Sequence, residues 1–135
     1  MDYGKVGGAA WEFFSTVVSA REERHVTHHQ MGNMLVELTV DTAVVESYIT
    51  AYHFTKEDNK DIDMIVGGRY IDKFERRGAE WRIIKRSFIM DWNQNMPGTA
   101  RWEEGLHAQF THRGAHYPDD MLYAKLKDNK RESSE

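Results

Sequence analysis

Two adjacent histidines stand near the start of the run VTHHQMGN, residues 26–33. Imidazole titrates near neutral pH, so His28 or His29 can take a proton from carbon or pass one to a departing hydroxyl. The residues that follow, MLVELTV, alternate as a strand with one apolar face does. Counted straight through, His28 shares a face with Met34, Val36 and Leu38, whereas His29 shares one with Asn33, Glu37 and Thr39. Gly32 intervenes. A glycine inside a strand often marks a bulge, and one extra residue reverses the facing of everything before it. With a bulge near Gly32, His29 joins the apolar face and His28 turns to the opposite one.

Further side chains suit a site on such strands. Asp91 ends the apolar segment SFIMDW, and Arg69, Asp72 and Arg86 are placed to pair with it or with one another. Tyr48, Tyr52, Tyr70, Phe88 and Trp92 fall on long strands and suit the lining of an apolar pocket, although core packing explains each of them singly. Tyr48 and Tyr52 share strand parity with Glu46, which marks that face as one with polar anchors. A metal is not expected. His25, His28 and His29 alternate across one strand and cannot readily converge, and His107, His112 and His116 have no dense carboxylate set nearby. There is no Gly-rich nucleotide loop and no G-x-S-x-G nucleophile turn, so no cofactor is expected either.

The elements that must position these residues follow from periodicity. Ala10, Phe13, Phe14, Val17 and Val18 recur at helical spacing, predicting a helix over 8–23. From His25 the pattern alternates through two long segments with Asp41 at the turn, which predicts an antiparallel hairpin. KEDNKDID reads as a polar loop, and MIVGGRYIDKFERR and WRIIKRSFIMDWNQ, joined by RGAE, read as a second hairpin. Four strands of about 12 to 15 residues exceed the usual length, and such strands twist and coil. Residues 1–96 thus form one α+β domain. Residues 97–135 form a partly irregular tail, with a short helix near ARWEEGLHAQF and an ending, KLKDNKRESSE, too polar to pack.

Composition bounds the function. A chain of 135 residues, 40% hydrophobic and 12% aromatic, suits one globular domain. Its net charge of −4, with both signs interspersed, lacks the basic stripe of a nucleic-acid binder. No signal peptide and no membrane span is read, and the absence of cysteine is compatible with a reducing cytoplasm.

The runs GGRYIDKFERRGAEWRIIKRSFIMDW, THHQMGN and DTAVVESYITAYHF resemble the SnoaL-like branch of the nuclear-transport-factor-2-like superfamily. The resemblance covers about residues 3–95. It implies a cystatin-like fold: a curved antiparallel sheet packed on helix and forming a cone with an apolar cavity. It also implies that the chain is N-terminally short, because relatives carry two helices and a short strand ahead of the first helix here. In dehydratase-like relatives a histidine three residues before a glycine at this strand's start is the general base, which corresponds to His29. An aspartate on their first helix orients that base, and no residue here matches it; Asp91, or a carboxylate from another subunit, is the candidate replacement. Two functions follow from the resemblance. One is a cofactor-independent lyase or isomerase acting on a small hydrophobic molecule. The other is a non-catalytic ligand-binding or assembly module, as dioxygenase β subunits are. Apolar strand faces left uncovered by a single helix predict a homo-oligomer, dimer or trimer, with Trp102, Leu106, Phe110, Tyr117 and Leu122 as additional cover.

Overall fold

The structure, a computed structural model, describes residues 1–3, 6–19 and 24–132. The chain divides at Gly98 into two compact units, Met1–Gly98 and Thr99–Glu135. The first holds β1 (Asp2–Tyr3), β2 (Val6–Gly7), α1 (Ala10–Ser19), β3 (Arg24–Leu38), β4 (Thr42–Glu57), β5 (Lys60–Arg77) and β6 (Glu80–Pro97). One sheet takes them in the order β2-β1-β6-β5-β4-β3, antiparallel throughout except where β1 meets β6. This is the α+β architecture of a curved sheet and few helices. The predicted helix is present over Ala10–Ser19, and residues 20–23 lie outside the described residues.

Both predicted hairpins form, with strands of 15, 16, 18 and 18 residues, longer than the sequence pattern indicated. The difference arises at KEDNKDID. Lys56 pairs with Asp61 and Glu57 with Lys60, so the expected loop is a continuation of two strands. Only Asp58 and Asn59 turn, with φ of 48° and 61°. Positive φ at both central residues is the primed turn whose twist matches the flanking strands, and Asp and Asn tolerate it. The opposite end of β4 is tied more elaborately. Thr39 N–H donates to the Thr42 carbonyl at 2.8 Å, and Arg76 at the end of β5 donates to Asp41 Oδ1 from Nε at 2.9 Å and Nη2 at 2.8 Å. The first turn is thereby stapled to the second hairpin.

Four bulges interrupt the register among the described residues. One extra residue lies on β3 between Arg24 and Val26 and another between Met31 and Met34, and β6 is irregular opposite Gly67/Gly68 and opposite Lys73/Phe74. Bulges of this kind bend a strand and increase its twist. The two faces of the sheet differ accordingly. On one lie Ala43, Ser47, Ile49, Ala51, His53 and Asp72, all buried; on the other the β4 residues Glu46, Thr50 and Tyr52 are half-buried and Val44 and Tyr48 exposed. The first is termed the inner face and the second the outer. Gly8–Ala10, at the entry to α1, share a hollow with Ile83–Arg86 at one end of β6.

The second unit, predicted as a partly irregular tail with a short helix near ARWEEGLHAQF, contains among its described residues a 3-10 turn, His107–Gln109, and a helix, α2 (Met121–Glu132). The run KLKDNKRE, part of an ending read as too polar to pack, is helical, and residues 133–135 lie outside the described residues. The local cause is Asp120: Oδ1 accepts the Leu122 N–H and Oδ2 the Ala115 N–H, both at 3.0 Å, which caps the helix start. Tyr117 and Tyr123 meet edge to face at 4.9 Å across that start. Arg113 Nη2 donates to the carbonyls of Trp102 and His107 and holds the loop between them.

Candidate functional site

The bulge expected near Gly32 lies between Met31 and Met34, and it decides the facing of the histidine pair. His29 stands opposite Ala51 and His28 opposite Tyr52. Because directly paired residues share a face, His29 belongs to the inner face with Met31, Met34, Val36 and Leu38, and His28 to the outer. Gly32 itself is not needed for its backbone freedom: a Cβ built there would meet Tyr48 Cβ at 3.4 Å, an ordinary contact.

Register across four strands groups the inner face into rows. His29, Ala51, Val66 and Asn93 form one row, and Thr27, His53, Met64 and Asn95 the next. Further along come Met31, Ile49, Gly68 and Met90, then Met34, Ser47, Tyr70 and Phe88. His29 and His53 meet edge to face with ring centroids 5.3 Å apart. His53 is nearly buried, at 9% exposure, and was not singled out from the sequence. A parity count from Ala51 places it beside His29, but only once the pairing of β3 with β4 is known. Tyr70 and Phe88 pack at 5.6 Å two rows beyond His29. Beyond them Asp72 accepts from Arg86 at 2.8 and 2.6 Å, and the Arg86 guanidinium lies 4.1 Å from the Tyr70 ring centroid.

The remaining sequence candidates gather on the outer face. Tyr48 and Tyr52 share it with Glu46, as parity indicated, and His28 meets Tyr52 at 5.9 Å. Arg69, opposite Tyr48, donates to Glu46 Oε1 at 2.8 Å and to both oxygens of Asp91 at 3.1 and 3.3 Å. Asp91 is the bulged residue between Met90 and Trp92, which releases it from the ladder toward Arg69. The hydrogen bond to Glu46, followed by that to Asp91, raises the Arg69 pKa and holds the guanidinium charged. Asp91 is therefore committed on the face opposite His29. The structure thus divides the candidates into His29, Tyr70 and Phe88 on one side and His28, Tyr48, Tyr52, Asp91 and Trp92 on the other.

Gly67 and Gly68 make this division compact. A Cβ on Gly67 would collide with the Trp92 indole, and one on Gly68 with the Ile89 carbonyl and the Phe88 ring. Each glycine lets an aromatic ring lie against β5, Trp92 on the outer face and Phe88 on the inner. Among the described residues, no group of three His, Asp or Glu side chains is placed to hold a metal, and no helix is long and apolar enough to cross a membrane.

Known structures of the same architecture include a scytalone-dehydratase-like protein from Novosphingobium aromaticivorans, 20% identical with TM-score 0.59, over 73% of this chain and 67% of that one. The hexachlorocyclohexane dehydrochlorinase LinA-type3 from Novosphingobium barchaimii is 20% identical with TM-score 0.55, over 66% and 59%. The Kfla4162 protein from Kribbella flavida is 18% identical with TM-score 0.55, over 62% and 59%. The chain thus spans about three fifths to two thirds of the length of these proteins. No curated protein matches it at comparable stringency. At these identities the likeness is one of fold. The family model for the SnoaL-like domain matches residues 1–87, well over half of the sequence, and the chain belongs to that family.

Proposed function

We propose that the protein is a cofactor-independent lyase or isomerase of the dehydratase type, acting on a small hydrophobic molecule with His29 as general base. The observation that carries this reading is the pairing of His29 with His53 on the inner face, 5.3 Å apart, beside Ala51, Val66 and Met64. A neutral imidazole can take a proton from carbon, and an adjacent imidazole can donate one to a leaving hydroxyl, with proton transfer between the two restoring the pair. In such a step a C–H bond breaks toward His29, a C=C bond forms, and the C–O bond breaks with loss of water; no oxidant or metal enters the balance. Two of the similar structures bear the names of a dehydratase and a dehydrochlorinase, names that belong to eliminations, which supports the reaction type and not the substrate.

A second reading is a non-catalytic ligand-binding or assembly module. It is favoured by the exposure of His29 and of the β3 residues that follow it. The experiment that separates the two is turnover of scytalone and hexachlorocyclohexane, with gas-chromatographic detection of products, by wild type, His29→Ala and His28→Ala. The enzyme reading expects a loss of about 10²- to 10⁴-fold for His29→Ala and a mild effect for His28→Ala. Equal losses in the two variants defeat the assignment of His29, and no turnover of either compound by wild type favours the module.

A further inference from the structure

Strand β3 is the outermost strand of the sheet, bonded to β4 along one side and, among the described residues, to no strand along the other. We infer that its free edge over residues 34–38 is a docking site for an extended segment of another protein. That segment adds as an antiparallel strand, with apolar residues at alternate positions and a lysine or arginine opposite Glu37. The inference is independent of any reaction at His29.

The backbone decides which groups are open. Thr39 N–H donates to the Thr42 carbonyl, and hydrogen-bonded and non-bonded pairs alternate along an antiparallel ladder. Counting back from Thr39, Glu37 and Leu35 spend their N–H and C=O groups on β4, whereas Leu38, Val36 and Met34, opposite Ala43, Val45 and Ser47, direct theirs outward. Each of the three offers one donor and one acceptor, in the plane of the sheet rather than on either face. Their side chains are 64%, 59% and 62% exposed, which leaves the row accessible. Proteins blunt such edges with lysine, proline or very short strands. Residues 26–38 contain no Lys, Arg or Pro, and the strand runs for 15 residues. The bulge between Met31 and Met34 and the turn at Asp41 bound the open row without closing it.

Glu37 selects the occupant. It is the one Asp, Glu, Lys or Arg of residues 26–38, and among the described residues it makes no ion pair. A second copy of β3 docked about a two-fold axis at Val36 sets each Glu37 against Leu35 and leaves both carboxylates without a cation. A different strand that carries a cation at that position gains a cross-strand ion pair. Its residues opposite Leu38, Val36 and Met34 then fall on the inner face beside apolar side chains, so backbone bonds supply affinity and the alternate side chains supply selectivity.

The test titrates the isotope-labelled full chain with the capped peptide Thr-Val-Lys-Val-Thr-Val-Thr, whose lysine falls opposite Glu37, and follows backbone amides by NMR. Shifted and slowly exchanging amides at Met34, Val36 and Leu38 are the expected result. The central valine of the peptide faces Val36 with its N–H, and the lysine N–H faces away. N-methylation of that valine is expected to weaken binding at least about tenfold, and N-methylation of the lysine less than about threefold. Val36→Pro removes an outward N–H and keeps the bonds to β4, so it is expected to lose the peptide at a nearly unchanged melting temperature. Where that variant does not fold, the pair of methylated peptides decides. Glu37→Lys is expected to prefer the same peptide with glutamate in place of lysine. Equal weakening by the two methylations, shifts confined to other residues, or no binding at millimolar peptide overturns the inference. Protection of the three amides that rises with protein concentration without peptide gives the edge to a second copy and overturns it as well.

Discussion

At the scale of single residues, the facing of His29 turns on one inserted position. The sequence pattern alone put His28 with the apolar residues, and Gly32 was the signal that reversed this count. The reversal is present, yet the glycine is not its steric cause, since a Cβ at Gly32 would rest 3.4 Å from Tyr48 Cβ. Gly32→Ala is therefore expected to change the melting temperature by only a few degrees and to leave the His29–His53 ring contact in place, as histidine NMR shifts would report. Gly68→Ala is different. Its Cβ would strike the Ile89 carbonyl on the neighbouring strand and the Phe88 ring, so the backbone must move. Overpacking of that kind destabilises by about 1–3 kcal/mol, which urea unfolding would measure. Glycine in a strand was legible as punctuation in both cases; whether it marks an insertion or a close approach depends on the partner strand. His53 escaped notice for the same reason, because the histidine it meets is 24 positions away in the chain and is joined to it only by strand pairing.

At the scale of elements, the strands and the primary helix were legible because apolar alternation and helical spacing are local signals. The ends of elements were not. The polar run KEDNKDID lacks such alternation, and its pairing is imposed by the strands on either side of a two-residue turn. Helix α2 was missed because its stability begins with a cap rather than an apolar face. Asp120 accepts two backbone N–H groups, from Ala115 first and Leu122 second, and these hold its carboxyl below the ordinary aspartate value. A depressed folded pKa contributes stability that is present above the unfolded value and is lost as pH falls through the folded one. The helical signal of residues 121–132 should accordingly hold at pH 6 and fade below about pH 4, and Asp120→Ala should weaken it at every pH. Amide exchange at Leu122 and Ala115 is the direct readout, and unchanged protection in Asp120→Ala would dismiss the cap. On the sheet, the four charged candidates Arg69, Asp72, Arg86 and Asp91 were legible as pairing groups, but which acid meets which arginine was decided by facing. Asp72, at 3% exposure, is the most deeply placed of them. Arg86→Met would strand its carboxylate, and breaking a buried pair from one side costs about 3–5 kcal/mol, whereas Asp72→Asn should cost less because the amide still accepts from Arg86. Denaturation midpoints of the two variants in that order are the expected outcome.

For the whole molecule, the telling feature is that the sheet of the first unit carries exposed apolar residues among those described. Ala43, Ile49 and Ala51 are the buried apolar residues among those described, whereas Leu35, Val44, Tyr48, Ile89 and Trp92 stand exposed on the outer face and Met31, Met34, Val36, Leu38 and Met90 on the inner. Exposed apolar side chains gathered on one face of a sheet suit an interaction surface. The charged group in its midst does not prevent burial. Arg69 is already paired with Glu46 and Asp91, so a partner covering the patch desolvates a bonded cluster rather than a lone charge. A second copy of the chain is the partner proposed, because symmetric association buries the same patch twice and closes without leaving an open end. Light scattering at micromolar concentration is expected to give the mass of a dimer or trimer. Val44→Lys adds a cation at an exposed outer-face position, 49% accessible. It is expected to yield folded monomer, with unchanged circular dichroism and raised binding of an apolar fluorophore to the uncovered face. A wild-type monomer mass, or a variant that stays assembled, places the interface elsewhere and leaves the outer face to solvent.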